Sequence, residues 1–256
     1  MNYPEHVNIN RDAWTQSSAN WVEPGRSSWI SPTITWGIWE VPESEIGVLG
    51  ELGKLKDLDV IELGCGTAYF SAWFAKLGAK PVGIDVTEAQ LSTARAFQNE
   101  YGIEFPLIEA SAEDVPLPGE SFDLAISEYG ASIWCDPEKW IAEASRLLRP
   151  GGVLIFLRNS TIGSLTAQAD GPSKDVLVRD YHSIERMEWD NPPSVEFQIP
   201  PGKLIRLLIR NGFEIEDLIE VFPPANAVEN RHEYITLEWS KKWPSEEIWR
   251  VRKQIK

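Results

Sequence analysis

The stretch that decides the fold is Val60-Ile61-Glu62-Leu63-Gly64-Cys65-Gly66-Thr67-Ala68, a hydrophobic strand running into two glycines and then into an amphipathic segment. Glycines at a strand end let the backbone turn sharply and approach a ligand, and the helix that follows presents free N–H groups at its start. Asp85 closes the next apolar run 21 residues after Gly64, where a carboxylate can accept both hydrogen bonds of a ribose diol. Strand, turn, helix, strand and acidic end at this spacing predict an α/β fold with a nucleotide-type crevice. The plainer alternative for the glycines alone is a structural tight turn.

Working outward, the strand candidates LDVIEL (58–63), PVGID (81–85), FPLIE (105–109), FDLAIS (122–127) and VLIFLR (153–158) are short and apolar, as strands covered on both faces should be. Helices fill the gaps. Leu91, Ala94, Phe97 and Tyr101 fall at helical spacing between Glu88 and Tyr101, with Thr87 and Gln90 set for a capping box and Gly102 as a stop. Asp136-Pro137 supplies an N-cap and first-turn proline for a helix carrying Trp140, Ile141, Ala144, Leu147 and Leu148 on one face, ended by Pro150-Gly151-Gly152. After residue 158 about forty polar residues punctuated by Pro and Gly are too long for a simple connection and read as an insertion near the site. A helix around Leu204–Ile209, stopped at Asn211-Gly212, then precedes FEIEDLIEV (213–221) and HEYITLEW (232–239). The alternation of Ile235, Leu237 and Trp239 makes the latter a half-buried strand that ends the sheet, expected to be antiparallel.

The expected organisation is thus an N-terminal Trp-rich cap (1–56), a cofactor-binding core (57–160), a lid or insertion (161–200), and a C-terminal completion of the sheet with a terminal helix (201–256). Five of the twelve Trp, at 14, 21, 29, 36 and 39, crowd the cap. They either roof a pocket or form the cap's own core. Trp36 and Trp39 are the substrate candidates, because they immediately precede the cofactor core.

Composition removes several classes of function. With 24 Lys+Arg against 39 Asp+Glu the net charge is −15, which opposes binding to nucleic acid and to anionic lipid. Two Cys and three scattered His give neither a disulfide framework nor metal-ligand spacing. The N-terminal MNYPEHVNINRDAW lacks a basic n-region and an apolar h-region, and no run approaches the ~18 apolar residues of a membrane span. A cytoplasmic protein without nucleic-acid or membrane partners is expected.

Two cofactor classes use such a turn. A dinucleotide fingerprint would place a third glycine at position 69, which is Tyr69, and Glu62 beside the turn is badly placed for a diphosphate. S-adenosylmethionine has no phosphate and carries a sulfonium and an ammonium, which suit that carboxylate. Four blocks, ELGCGTAYFS (62–71), GIDVTEAQLSTAR (83–95), EASAEDVPLPGESFDLAISEYG (109–130) and ASRLLRPGGVLIF (144–156), make the chain resemble the class I S-adenosylmethionine-dependent methyltransferases with a methyltransferase-11-type core. The resemblance covers about residues 57–158. It implies a Rossmann-like, mostly parallel seven-stranded sheet with an antiparallel C-terminal strand and helices on both faces.

The resemblance also implies roles. Glu62, Gly64, Cys65 and Gly66 face the methionine part, Asp85 binds the ribose and Val86 flanks the adenine. Ala112 and Glu113 lie at the adenine edge, while Ser127 and Glu128 begin the loop beside the transferable methyl. Ser111 stands where the family usually has Asp, which leaves Glu113 to compensate. The expected reaction is in-line methyl transfer to a small molecule, in which the protein positions the nucleophile and excludes water. Glu128 and Tyr129 are substrate candidates and Tyr129 the catalytic candidate, against a plain packing aromatic. Asp136 reads as an N-cap and His182 as a solvated loop residue. The alternatives are an NAD(P)-dependent oxidoreductase and a non-catalytic S-adenosylmethionine-binding protein.

Overall fold

A computed structural model describes residues 3–229, 232 and 234–255. The chain opens with α1 (Glu5–Ser17) and α2 (Val22–Ile30), then a small hairpin of β1 (Thr35–Trp36) and β2 (Val41–Pro42), and one turn of helix, α3 (Glu43–Ile46). The central part comprises β3 (Asp59–Leu63), α4 (Tyr69–Lys76), β4 (Lys80–Asp85), α5 (Glu88–Tyr101), β5 (Leu107–Glu109), β6 (Phe122–Glu128), α6 (Ala131–Trp134), α7 (Pro137–Leu147) and β7 (Leu148–Asn159). After it come α8 (Thr161–Thr166) and a second hairpin, β8 (Met187–Asp190) with β9 (Pro193–Glu196). α9 (Pro201–Arg210), β10 (Phe213–Val221), α10 (Leu237–Ser240) and β11 (Glu246–Lys253) complete the described chain.

Seven strands form one sheet in the order β10-β11-β7-β6-β3-β4-β5. β3 to β7 run parallel, and β11 is antiparallel to both of its neighbours. Because side chains alternate along a strand, Val60, Leu124, Ile126 and Leu157 pack with Phe70 and Phe74 of α4 on one face. Ile61, Leu63, Ala125 and Phe156 pack with Trp140 and Ile141 of α7 and Leu208 of α9 on the other. This is the Rossmann-like α/β fold expected. Strand order reverses at β3: the chain steps out to β4 and β5, then crosses back to β6 and β7. That reversal opens a crevice at the carboxyl ends of β3 and β6, where open α/β sheets bind ligands.

The N-terminal helices are seated on this crevice. The Asn10 side chain of α1 donates to the carbonyls of Trp134 (3.0 Å) and Val195 (2.9 Å) and accepts from the Val195 amide (2.7 Å), tying α1 to α6 and β9. In α2, the buried Trp29 indole donates to the Thr67 carbonyl at 2.7 Å, and its ring packs on Phe97 of α5. One tryptophan therefore anchors the glycine turn to the N-terminal helices.

Several local expectations change. HEYITLEW is not a strand: Glu233 lies outside the described residues, and Thr236 caps the short α10 by accepting from the Trp239 amide. The antiparallel strand is EEIWRVRK, β11, which is also the last element among the described residues where a terminal helix was expected. α5 begins and ends as expected, but Thr87 makes no side-chain cap, its amide donating instead to Asp85 Oδ1 at 2.8 Å. Pro150-Gly151-Gly152 lies inside β7, since α7 already ends at Leu147.

Candidate active site

A cavity of about 830 Å³ lies over the carboxyl ends of β3, β4 and β6. Its inner half is the glycine turn. Gly64 has φ 75° and faces the chain so closely that a Cβ would lie 2.7 Å from the Ala131 amide nitrogen and from Gly130 Cα, so no other residue fits. The amides of Gly64 and Cys65 both donate to the Ile84 carbonyl, at 2.9 and 2.8 Å, which holds the turn against β4. Asp85 ties the two loops together: Oδ2 accepts from the Gly66 amide and Oδ1 from the Thr87 amide, each at 2.8 Å. Burial nonetheless pushes the Asp85 carboxyl up from its ordinary value, against those donors.

Glu62 is buried beside the turn on β3 and lines the cavity. Its Oε2 accepts from both the amide (2.8 Å) and the hydroxyl (2.6 Å) of Ser71, so α4 holds it in place. Burial, reinforced by the charges of Glu128 and Asp85, raises the carboxyl to about 8 despite the Ser71 donors. A cationic ligand is what this group lacks. Val86, Ser111 and Ala112 line the same half. So does Gln90, which is 3% exposed with its Oε1 unpartnered among the described residues, a polar residue whose place in the sequence suggests only a helix cap. No Lys or Arg is among the described residues lining this cavity, and position 69, where a dinucleotide site would want glycine, is a tyrosine whose hydroxyl donates to Glu128. The inner half therefore fits a cationic nucleoside and not a diphosphate.

Two further cofactor candidates lie outside the cavity lining. Glu113 is occupied elsewhere: its Oε1 lies 2.5 Å from His6 Nε2 and accepts from the Asp136 amide at 2.8 Å. Burial pushes this carboxyl up, but the His6 ring and the Asp136 amide outweigh it and hold the group below its ordinary value. It latches α1 to the start of α7. Ser127 is fully buried, and its Oγ accepts from the Ser132 amide at 3.1 Å, shaping the β6–α6 turn from behind.

The assignment of Trp36 and Trp39 to the substrate pocket is corrected. Both lie in the hydrophobic core: Trp36 donates to Glu43 Oε2 at 2.7 Å and packs on Phe70, and Trp39 donates to Ser245 Oγ at 2.9 Å. Their polar edges are satisfied inward, so neither ring turns to the cavity. Trp14 and Trp21 line it instead, together with Trp134 of α6 and Trp189 of β8. Trp14 stands 5.4 Å from Trp21 and 5.2 Å, edge to face, from Trp134.

Between the two halves sit Glu128 and Tyr129. Glu128 Oε1 accepts from the Gly37 amide at 3.1 Å and Oε2 from Tyr69. Tyr129 adopts φ 50° at the end of β6, with its backbone carbonyl accepting from Trp134 Nε1 at 2.8 Å. Burial, with Glu246 and Tyr234 nearby, holds its phenol protonated far above its ordinary range. Glu246 of β11, which sequence reasoning missed, is fully buried, accepts from the Ile38 amide at 2.8 Å, and is raised to about 7 by burial. Asp136 caps α7 by accepting from the Glu138 amide at 3.0 Å, and His182 is exposed; neither lines the cavity. Burial raises both Cys65 and Cys135, leaving unreactive thiols. Among the described residues no acidic, His or Cys cluster is arranged to hold a metal, and no helix is long and apolar enough to cross a membrane.

Residues 61–156 match the family model described as a methyltransferase domain, the span from β3 to β7 that builds this cradle. Over that span the chain is similar to the class I S-adenosylmethionine-dependent methyltransferases. It is 28% identical over 171 residues to a Mycolicibacterium smegmatis protein named as a probable S-adenosylmethionine-dependent methyltransferase, covering 67% of this chain and 58% of that one. It is 25% identical to a ubiquinone biosynthesis O-methyltransferase of Rhizobium etli, over 66% of this chain and 64% of the relative. The chain thus spans less than two thirds of these relatives. Among solved structures, the [4+2]-cyclase SpnF shares the fold with a TM-score of 0.65 and 16% identity, over 100% of this chain and 98% of that one.

Proposed function

We propose that this methyltransferase moves the methyl group of S-adenosylmethionine onto a small molecule held in the outer half of the cavity. The observation that carries the reading is the continuity of the cavity, from Glu62, Gly64, Cys65, Gly66 and Asp85 to Glu128, Tyr129 and the indoles of Trp14, Trp21, Trp134 and Trp189. In this reading Glu62 and the glycine turn hold the methionine part, Asp85 accepts from the ribose hydroxyls, and Val86 and Ala112 flank the adenine. Gln90 offers its free oxygen to a donor on the nucleoside in place of the carboxylate absent at Ser111. Glu113 and Ser127 act indirectly, through α1 and the β6–α6 turn.

The cofactor supplies an electrophilic methyl on a positively charged sulfur; the chain supplies position and shielding. Attack in line with the C–S bond consumes charge rather than creating it, so no oxyanion hole is needed. Tyr129 holds the acceptor as a neutral hydrogen-bonding phenol, since its proton is held firmly. Glu128, fixed by Gly37 and Tyr69, is the carboxylate placed to take the acceptor's proton. A cytoplasmic location and independence from nucleic acid and membranes belong to the same reading.

The shared fold of a protein named as a cyclase favours one second reading, a cofactor-binding protein that transfers no methyl. Labelled S-adenosylmethionine incubated with a broad set of small metabolites separates the two. Methyl transfer reads as label in a new small product together with S-adenosylhomocysteine; label that stays on the cofactor with every acceptor favours the second reading.

A further inference from the structure

We propose that the methyl acceptor is a planar aromatic molecule, seated against a closed ring of aromatic side chains in the outer half of the cavity. The inference rests on the methyl-transfer reading above and deepens it by naming the acceptor's class. Residues from α1, the turn after it, the β6–α6 connection and the segment before β11 neighbour one another in sequence around this half: Trp14, Trp21, His232, Tyr234, Tyr129 and Trp134, all in the cavity lining. The Trp14 ring stands 5.2 Å, edge to face, from Trp134 and 5.4 Å from Trp21. His232 lies 6.3 Å from Trp21 and 5.5 Å from Tyr234. The hydroxyls of Tyr234 and Tyr129 interact, and the Tyr129 carbonyl accepts from Trp134 Nε1 at 2.8 Å, which closes the ring.

The wall is set before a ligand arrives. Asn10 ties α1 to the Trp134 and Val195 carbonyls, Trp134 is pinned by its own indole bond, and the rings brace one another, so a guest has little to order. Aromatic rings carry negative faces and positive edges, and the angles of 50° between Trp14 and Trp21 and 82° between Trp14 and Trp134 mean that the wall offers both. A flat aromatic guest continues that alternation and has few torsions to freeze. A saturated framework of the same size gains dispersion contacts without the quadrupole attraction. Charge does not enter the selection. Glu128 already accepts from the Gly37 amide and Tyr69, Glu196 has Trp189 and Arg179 beside it, and His232 belongs to the ring itself, so the wall chooses shape and π character in a neutral, anionic or cationic acceptor alike.

The methyl step needs no further reactant. Tyr129 is both a member of the ring and the neighbour of Glu128 between the two halves of the cavity, so a guest lying along the wall brings its substituent toward the cofactor half. A lone pair on the acceptor atom forms the bond to the methyl carbon while the S–C bond breaks, its electrons staying on sulfur, and where the acceptor atom carries a proton, that proton passes to Glu128.

The test uses the full chain saturated with S-adenosylhomocysteine, titrated calorimetrically with probe pairs that share a functional group and a charge and differ in saturation: 2-naphthol against decahydro-2-naphthol, 2-naphthoate against decahydro-2-naphthoate, and 2-naphthylmethylamine against its decahydro counterpart. The saturated member of each pair exposes more apolar surface, so burial alone would favour it. The expected result is that the aromatic member binds more tightly by about tenfold, the scale of two ring–ring contacts, in the alcohol pair and in at least one charged pair. Trp14→Leu and Trp21→Leu should each cut that margin to about threefold or less, with retained S-adenosylhomocysteine binding showing that the variant is folded. The wild-type comparison stands whether or not a variant folds. Equal or tighter binding of the saturated members, a margin confined to a single pair, a margin kept in both variants, or no probe binding to the loaded protein overturns the inference and leaves the cofactor reading standing. Failure of the wild-type protein to bind S-adenosylhomocysteine overturns the cofactor reading, and the inference falls with it.

Discussion

Glu62 is where charge, burial and cofactor meet, and Glu62→Gln separates them. The carboxyl titrates at about 8 in the folded protein against 4.5 for the free group. At pH 7 roughly nine in ten molecules then hold the proton. The folded value lies above the unfolded one, so between pH 4.5 and 8 the folded state keeps a proton that the unfolded state gives up. Stability is therefore full below about pH 4.5, falls as pH rises through this window by on the order of 5 kcal/mol in total, and is level above it. Glutamine has the same shape and still accepts from the Ser71 amide, but carries no proton to lose. Glu62→Gln should be the more stable protein at pH 8 to 9 by several degrees in Tm, while near pH 4.5 the two should melt alike. Binding should move the other way. The ammonium of the cofactor draws the proton from Glu62, so wild-type protein should release up to roughly 0.9 proton per S-adenosylhomocysteine bound at pH 7. Calorimetry in two buffers of different ionisation enthalpy reads that number directly. The variant should release none from this site and bind roughly tenfold to a hundredfold more weakly, the scale of one lost charge-assisted hydrogen bond. No proton release by wild type, with affinity unchanged in the variant, would refute the reasoning.

Two other substitutions test neighbouring parts of the account. Asp85→Asn removes the charge and sets an amide N–H against one of the two backbone donors at Gly66 and Thr87. Affinity for S-adenosylhomocysteine should fall roughly tenfold to a hundredfold, and Tm should fall too, because the carboxylate also ties the loops; unchanged affinity in calorimetry would remove Asp85 from the ribose site. Trp36→Phe deletes the donor to the buried Glu43 without touching the cavity, so urea unfolding should show a loss of about 2–4 kcal/mol while S-adenosylhomocysteine affinity stays within about twofold. A selective loss of binding with stability intact would return Trp36 to the pocket.

The core of the fold was legible because its signals are local. Parallel strands such as FDLAIS are covered on both faces and read as continuous apolar runs, and Asp136, Pro137 and Gly102 mark helix ends by their own conformational preferences. The last strand was not, because its partners are distant. EEIWRVRK looks charged and exposed, yet Glu247 pairs with Arg158 inside the sheet at 2.6 Å, and Arg250 and Arg252 both reach Glu216. HEYITLEW alternates like a strand, but its Thr236 turns the chain into a helix.

The site divides in the same way. Glu62, Gly64, Gly66 and Asp85 lie on one strand–turn–helix–strand unit and could be read from spacing, whereas Val86 follows only from the family resemblance. The outer half is assembled from α1, α6, β8, β9 and the segment before β11, which no local pattern connects. An indole reads the same in sequence whether its N–H is satisfied by Glu43 in the core or its ring lines a cavity, so sequence alone does not tell Trp36 and Trp39 from Trp14 and Trp21. Glu196, Tyr234 and Glu246 carried no spacing signal at all; only the tertiary fold brings Tyr234 and Glu246 near Tyr129, and Glu196 near Tyr234.

The measurement that bears most directly on the central claim is a calorimetric titration of the full chain with S-adenosylhomocysteine and, separately, with NADH and NADPH. A cradle of Glu62, the glycine turn and Asp85 without a phosphate-binding helix start predicts one S-adenosylhomocysteine per chain, displaced by S-adenosylmethionine, and no heat from either dinucleotide. Saturable binding of NADH or NADPH, with none of S-adenosylhomocysteine, would contradict it.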